Sequence, residues 1–467
     1  MNLPLTLIDS LQHVKGFSKE AFEQVHVSGE QVTSIRYNPL KIHFSTPANA
    51  GTGPLEVNQQ PLRLRSGSPV PWSSNGFYLS TRPSFTLDPL LHAGAYYVQE
   101  ASSMFLEQVI LQTVDVSKPL LVLDLCAAPG GKSTLLQSVI SKESLLVGNE
   151  VIQSRVHILK ENIIKWGGSN VVVTNNDPKD FSKLKGLFDV VVIDAPCSGS
   201  GLFRRDAAAI NEWSEDNVQL CHQRQQRIIA DCWNCLKEDG VLIYSTCSYS
   251  VTEDEEILDW MVKAFNVESL RLNVDASWHI DEVQSAKAAY GYRFWPYKVK
   301  GEGFFIAAFK KKEEVETVRL KIKTTQLVSK KEMAITSNWL QTRDGFVFIK
   351  QGQNIAVIPE HWNETIQYLM QELKVRYAGV ELGTIAKDDL IPEHALALST
   401  VINPSVYSVE LDLEQALNYL RKNEISISNE YKGWALVTYQ GFHLGWIKML
   451  GNRINNYYPK EWRILKR

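Results

Sequence analysis

The chain has 467 residues, with 49 Lys and Arg against 52 Asp and Glu and a formal net charge of −3. A hydrophobic share of 44% and a charged share of 22% are those of an ordinary globular chain and exclude wholesale disorder. At about 100–200 residues per domain, the length suggests two to four domains. No apolar run approaches the roughly 18 residues that span a bilayer. The start, MNLPLTLIDSLQHVKGF, lacks the basic head and unbroken apolar stretch of a signal peptide, so a cytoplasmic chain is expected. Six cysteines, all between Cys126 and Cys247, are too sparse for a disulfide framework and read as reduced thiols.

Residues 1–97 are rich in Pro, Ser and aromatics. Turn segments TPANAGTGP (46–54) and SGSPVPW (66–72), with the alternating run SIRYNPLKIHF (34–44), predict a small α/β accessory unit. Over 98–312 the pattern becomes strand, helix, strand. LLVLDL (120–125), LLVGNE (145–150), VVVT (171–174), DVVVID (189–194), VLIYSTC (241–247) and GFFIAAF (303–309) are the strands. KSTLLQSVI, SRVHILKENIIKW and a long stretch over 217–237 are helical. Apolar strands alternating with amphipathic helices predict a doubly wound, Rossmann-like α/β domain with a mostly parallel sheet. The stretch from Lys310 to Lys331 holds eight Lys/Arg and three Glu, a balance of +5, and reads as a linker or surface helix. A middle segment (313–395) contains strand-like GFVFIK and IAVIP and a helix near 361–373. The last unit, 396–467, has the Gly- and aromatic-rich strands of a compact β-rich domain. From Tyr431 to Arg467, seven Lys/Arg face Glu461 alone, a balance of +6 that can attract a polyanion.

The segment LLVLDLCAAPGGKSTLL sets a Gly-rich turn between a buried strand and a helix, where a ligand can reach the backbone and free helix N–H groups. Gly131, Lys132 and Ser133 fit the end of a phosphate-binding loop, but Cys126 stands at its first Gly position. The dinucleotide fingerprint is missing as well. The next strand ends in Glu150, 20 residues after Gly130, where a carboxylate can accept ribose hydroxyls; Asp177 follows the third strand, where it could meet an adenine edge. Three strand ends in series point to a nucleoside-containing cofactor without a triphosphate cradle, and S-adenosylmethionine fits.

The fourth strand runs into DAPCSGSG, with Asp194 and Cys197 on a tight loop, and the fifth into YSTCSYS, with Cys247 at its end. If these strands are neighbours, both thiols overhang the edge that carries the glycine turn. Ser250 and Glu253 form a capping-box pattern, so a helix start is predicted near Cys247 that could raise its thiolate fraction. Cys232 and Cys235 make a C-x-x-C, but they sit in a stretch that reads as a helix ending at Gly240. There is no second pair or suitable His spacing, so packing rather than metal is expected.

LCAAPGGKS, the Glu150 strand end, DAPCSGSGLFRRD and YSTCSYS, in this order, closely resemble the NOP/Sun family of RNA 5-methylcytosine methyltransferases, as does GEGFFIA near the end of the domain. STRPSFTLDPLLHAGAYYVQEASSMF and LVTYQGFHLGWIKMLGNRINNYYPKEWRI look like the bacterial small-subunit ribosomal RNA group of that family, in which a PUA-like RNA-binding domain follows the catalytic one. The resemblance implies a class I methyltransferase fold over 98–312 and methylation of carbon 5 of a cytosine. It makes Cys247 the nucleophile that adds to carbon 6 and gives Cys197 loss of the carbon 5 proton and enzyme release. Asp194 would hydrogen-bond the pyrimidine. Cys126, Ala127, Ala128, Pro129, Gly130, Gly131, Lys132, Glu150, Asp177 and Asp194 are assigned to S-adenosylmethionine, with Lys132 also facing the reaction centre. Without the resemblance the two thiols are exchangeable.

The expected partner is ribosomal RNA or the small ribosomal subunit, with the enzyme a monomer that uses no metal and no membrane. Arg204, Arg205 and the basic terminal domain are candidates to hold RNA backbone. The competing readings are the same chemistry on transfer RNA, an RNA-binding assembly factor without turnover, and a P-loop NTPase dependent on Lys132.

Overall fold

The computed structural model describes residues 3–42, 67–322, 328–427, 430–451 and 453–466; the turn expected at 46–54 lies outside the described residues. Near the N-terminus, β1 (Thr33–Tyr37) pairs antiparallel with β2 (Gly76–Leu79) and β3 (Tyr96–Val98). The helix Leu5–Leu11 turns Leu7, Ile8 and Leu11 inward, where they join Phe203, Tyr249 and Trp295 of the large domain. The N-terminal unit is thereby packed into the following domain.

Five parallel strands form the centre of the molecule: β4 (Leu121–Asp124), β5 (Leu145–Asn149), β6 (Val171–Thr174), β7 (Phe188–Asp194) and β8 (Leu236–Thr246). Their Val, Leu and Ile side chains feed two cores, one on each face of the sheet. Each fully buried residue of this kind contributes about 1.5–3 kcal/mol. The helices Gly131–Val139, Gln153–Trp166 and Glu215–Cys232 follow β4, β5 and β7. The chain moves outward from β4 to β5 and β6, then returns to place β7 on the other side of β4. The crevice at the carboxyl ends of β4 and β7 is therefore the switch point at which open α/β sheets bind ligands.

The sheet is mixed beyond this centre. After β9 (Val267–Ser269), β10 (Asp281–Gln284) and β11 (Tyr290–Phe294), the strand β12 (Phe304–Lys311) runs antiparallel to β8, β9 and β11. Later come the hairpin β13 (Phe346–Gln351) and β14 (Asn354–Pro359) and the helix Asn363–Glu372. β15 (Val375–Ala378) then adds antiparallel to β6, at the far edge of the central sheet. β16 (Val380–Ala386) and β17 (Asp389–Pro392) complete a four-stranded sheet with β13 and β14. The last sheet joins β18 (Ser408–Glu410), β19 (Gly433–Tyr439), β20 (Phe442–Met449) and β21 (Ile454–Asn456). Leu340, Val357 and Leu382 share one core with Trp434, Leu436 and Trp446, so the middle segment and the C-terminal domain are packed as one body.

Two expectations change. The helix expected to end at Gly240 stops at Cys232, and β8 begins at Leu236, because Phe188 pairs with Leu236 before a register shift in the ladder. Cys232 and Cys235 are buried in the core there. The charged stretch after β12 forms no helix over 312–322, and a helix, Lys330–Ser337, begins only at its end. Lys311 is buried and donates to Trp233 O and Leu236 O, while Val318 and Leu320 pack on the core of the large domain and Val318 N–H donates to Lys185 O.

Candidate active site

The glycine turn leaves β4 and is tied to its neighbours mainly through backbone groups. Leu125 N–H donates to Val192 O at 2.9 Å, and Ala127 N–H to Asn149 O at 2.8 Å. Arg155 donates to Ala128 O at 2.6 Å and Asn162 to Pro129 O at 2.8 Å, so the helix after β5 holds the turn from outside. Gly130 has φ of 115°, and a Cβ there would meet Asn162 and Leu159 at 3.3 and 3.4 Å. This is where the turn requires glycine. Beneath it, Ser133 donates to Asp124 at 2.6 Å, and burial pushes the Asp124 carboxyl up to about 7 against that bond.

The N-terminal unit forms the opposite wall. Arg36, on β1, is fully buried and donates to Gln99 (2.9 Å), Thr134 Oγ1 (2.6 Å), Ser138 (3.1 Å) and Gly131 O (3.2 Å). One side chain thus fastens β1 to the first turn of the helix Gly131–Val139. Between the walls lies a cavity of about 440 Å³ whose lining includes Tyr97, Ala128, Gly131, Lys132, Asp194 and Cys247. That volume is in the range of small-molecule sites, about 300–1,000 Å³.

Lys132 reaches across the cavity to Asp194, Nζ to Oδ2 2.7 Å, and Asp194 Oδ1 accepts from Ser245 at 2.8 Å. Burial disfavours the ammonium, but the charge and hydrogen bond of Asp194, with smaller help from Asp124 and Cys247, raise the Lys132 pKa above its ordinary value. The two thiol loops meet beside this pair, with Cys197 Sγ 3.0 Å from Cys247 Sγ. Their hydrogen bond comes first, then burial, in pushing the Cys197 thiol well up. Gly201 lets the loops approach: its N–H donates to Cys247 O at 2.7 Å, and a Cβ there would lie 2.4 Å from that oxygen.

A polar frame missed by the sequence reading holds the thiol loops. Glu253 is fully buried, and its carboxylate accepts from Ser198 N–H (2.8 Å), Ser198 Oγ (2.5 Å), Ser248 Oγ (2.7 Å) and Gln225 Nε2 (3.2 Å). The expected capping box is therefore not formed; the helix starts later, at Glu255, and Glu253 faces the Pro-Cys loop instead. Thr246 donates to Asp254 at 2.6 Å, and the buried Arg293 pairs with Asp254 (3.0 Å) and Glu255 (2.5 Å) while donating to Tyr249 O (2.9 Å). No local pattern announces this frame, since its partners lie up to 55 residues apart.

The other expected residues divide. Cys126, Ala127 and Pro129 line the cavity with the residues named above, whereas Gly130, Glu150, Asp177 and Cys197 do not. Glu150 is buried at the end of β5, accepts from Ile152 N–H at 2.8 Å and lies 3.3 Å from Arg155. Asp177 accepts from Lys179 N–H at 3.1 Å and lies 4.0 Å from Arg227. Arg204 is buried, donates to Gly301 O and Glu30 O and pairs with Glu302 at 3.4 Å, so its guanidinium braces the N-terminal unit rather than awaiting a phosphate. Arg205, by contrast, is exposed and lines the cavity. Among the described residues no group of three or more His, Cys, Asp or Glu could hold a metal ion, and no helix is long and apolar enough to cross a membrane.

Three family models match in chain order: the N-terminal domain of 16S rRNA methyltransferase RsmF over 3–101, 16S rRNA methyltransferase RsmB/F over 110–310, and the methyltransferase RsmF PUA domain over 406–464. Ribosomal RNA small subunit methyltransferase F of Shewanella loihica is 30% identical over 445 residues, 92% of this chain and 88% of the relative. The chain belongs to the ribosomal RNA small subunit methyltransferase F family. The same-named protein of Psychromonas ingrahamii is 31% identical over 414 residues, 84% of each chain. A solved methyltransferase homolog from Pyrococcus horikoshii superposes with a TM-score of 0.50 at 25% identity, covering 66% of this chain and all of the other. NSun6 of the same organism, solved with SFG, has a TM-score of 0.51 over 67% of this chain at 17% identity, a likeness of fold. Membership makes the chain an S-adenosylmethionine-dependent rRNA methyltransferase with a C-terminal PUA domain.

The residues present fit that methyl donor. Small side chains at Ala127, Ala128 and Gly131 keep the cavity open, and a Cβ at Gly131 would already stand 3.3 Å from the Tyr97 ring. The buried Glu150 carboxylate stands at the end of the neighbouring strand.

Proposed function

We propose that the chain methylates carbon 5 of a cytosine in small-subunit ribosomal RNA through a covalent bond between Cys247 and carbon 6. The observation that carries this reading is the meeting of two thiols, each from its own strand end, beside the Lys132–Asp194 pair at the cavity. Cytosine carbon 5 is too electron-poor to take a methyl group unaided. Addition of the Cys247 thiolate to carbon 6 turns it into a nucleophilic enamine, dividing one hard step into two easier ones. S-adenosylmethionine supplies an electrophilic methyl group. Carbon 5 then carries both methyl and proton; loss of that proton and expulsion of the Cys247 thiolate restore the ring.

The electrostatics favour this division of labour. The hydrogen bond to Cys247 and burial push the Cys197 thiol well up, which suits Cys197 to remain a thiol beside the nucleophile. When Cys247 is bonded to carbon 6, Cys197 remains beside the same sulfur, suited to assist proton loss and release. Asp194 would hydrogen-bond the pyrimidine with Lys132 steadying it. The segment from Cys126 to Lys132, with Glu150 and Asp177, would hold the donor. The base must leave its stack to enter this cavity. We assign the enzyme to the cytoplasm, acting as a monomer on the RNA or the small subunit.

Labelled methyl transfer to small-subunit RNA, intact subunits and transfer RNA, followed by nucleoside analysis, tests the reading. Label in 5-methylcytidine from small-subunit RNA is expected. Label in another nucleoside, or in transfer RNA alone, would overturn it.

A further inference from the structure

We propose that the seam between the middle segment and the C-terminal domain is a second RNA site, which takes one unpaired base of the ribosomal RNA substrate away from the active site. A cleft of about 530 Å³ opens there, and its lining includes Trp339, Asp389, Tyr407, Tyr431 and Trp434. Trp339 and Asp389 precede the residues matched as the PUA domain, so the site exists only where two units meet. Its aromatic walls are held in place. Trp339 stands edge-on to the buried Trp446 at 5.5 Å, and its carbonyl accepts from Asn403 N–H at 2.9 Å. Tyr431 stacks on Tyr407 with centroids 3.9 Å apart. Gly433, at φ 138°, makes room for this stack, because a Cβ there would come 3.1 Å from the Tyr431 hydroxyl.

The chemistry selects a nucleobase. Trp339, Tyr407 and Tyr431 border the cleft, and every base has a π-face that can stack on such rings. Asp389 is exposed at the rim, where its carboxylate repels phosphate but can accept from an exocyclic amine or a ring N–H. Phosphate is instead favoured on the flank. Lys448 lies 4.9 Å from the Trp434 ring, the half-exposed Tyr457 meets the same ring at 4.4 Å, and residues 431–467 carry the +6 balance of seven Lys/Arg against one Glu. An aromatic slot beside a basic track matches single-stranded RNA, whose splayed bases stack while its backbone follows the charge.

The test measures binding, independently of which base is methylated. The full chain is titrated with a single-stranded small-subunit RNA fragment at several salt concentrations, and crosslinked by light to the same fragment carrying 4-thiouridine. Trp339→Ala should weaken binding about tenfold or more, with the salt slope unchanged. Trp339→Phe should recover most of the loss, and Lys448→Gln should lower the salt slope by about one. Crosslinks are expected on peptides holding Trp339 or 431–434. Asp389→Asn, at an exposed position, should change which base is preferred. Unchanged RNA affinity in Trp339→Ala and Asp389→Asn, in variants that melt and bind S-adenosylmethionine as wild type, would overturn the proposal. Crosslinks confined to other segments would do the same.

Discussion

On the glycine-turn side of the cavity the anchoring acceptors are backbone carbonyls: Val192 O and Asn149 O take backbone N–H groups, and the carbonyls of Ala128 and Pro129 take the side chains of Arg155 and Asn162. On the thiol side the fastening is by buried ionisable side chains: Glu253 under one loop, and Asp254, Glu255 and Arg293 under the other. The ties from Leu125 and Ala127, backbone to backbone, tolerate changes of side chain. A buried carboxylate with four donors does not, because removing it leaves each donor unsatisfied. The two walls should therefore fail differently when mutated.

Glu253→Ala should have the largest effect. It strands the donors of Ser198, Ser248 and Gln225, a loss on the order of 3–5 kcal/mol. Methyl transfer should fall more than tenfold while S-adenosylmethionine affinity, read by calorimetry, changes little. Arg36→Met gives the opposite split. It should cost about 2–4 kcal/mol and weaken cofactor binding several-fold, because the helix Gly131–Val139 loses its tie to β1. Equal loss of cofactor affinity in both variants would abolish the distinction.

Acid should loosen a third region. Burial, with Lys165, Lys41 and Lys422 adding to it, lowers His394 from 6.5 to about 3. The folded form therefore keeps this imidazole neutral where the unfolded chain protonates it. Stability from this group is complete above about 6.5 and is lost as pH falls toward the folded value. By pH 5 the loss is about 2 kcal/mol. Melting curves at pH 7 and 5 should show the drop, and a His394→Gln variant should flatten it. The smallest loss of stability is expected at Asp177→Ala, about 0.5–1 kcal/mol for a lost cap. With Asp177 holding the donor as proposed, S-adenosylmethionine affinity should fall by more than that, and an unchanged affinity would remove Asp177 from the donor site.

The readable parts of this molecule were those written in local pattern. LLVLDL and DVVVID are short apolar runs, and their ends carry Cys126 and Asp194, which line the cavity. What stayed hidden depends on distant pairing. Ser250 and Glu253 have the spacing of a helix cap, yet Glu253 finds better donors on a loop 55 residues away. β15 reaches β6 from about 200 residues downstream, and nothing in its own four residues names that partner. Arg204 shares a motif with Arg205 but is turned inward by Glu302, Gly301 and Glu30.

The measurement closest to the central claim is a denaturing gel of Cys247→Ala, Cys197→Ala and wild type after incubation with small-subunit RNA and S-adenosylmethionine. With Cys247 as nucleophile and Cys197 needed for release, Cys197→Ala should accumulate a covalent protein–RNA band and Cys247→Ala should show neither band nor methyl transfer. A band in Cys247→Ala would contradict that assignment and exchange the roles of the two thiols.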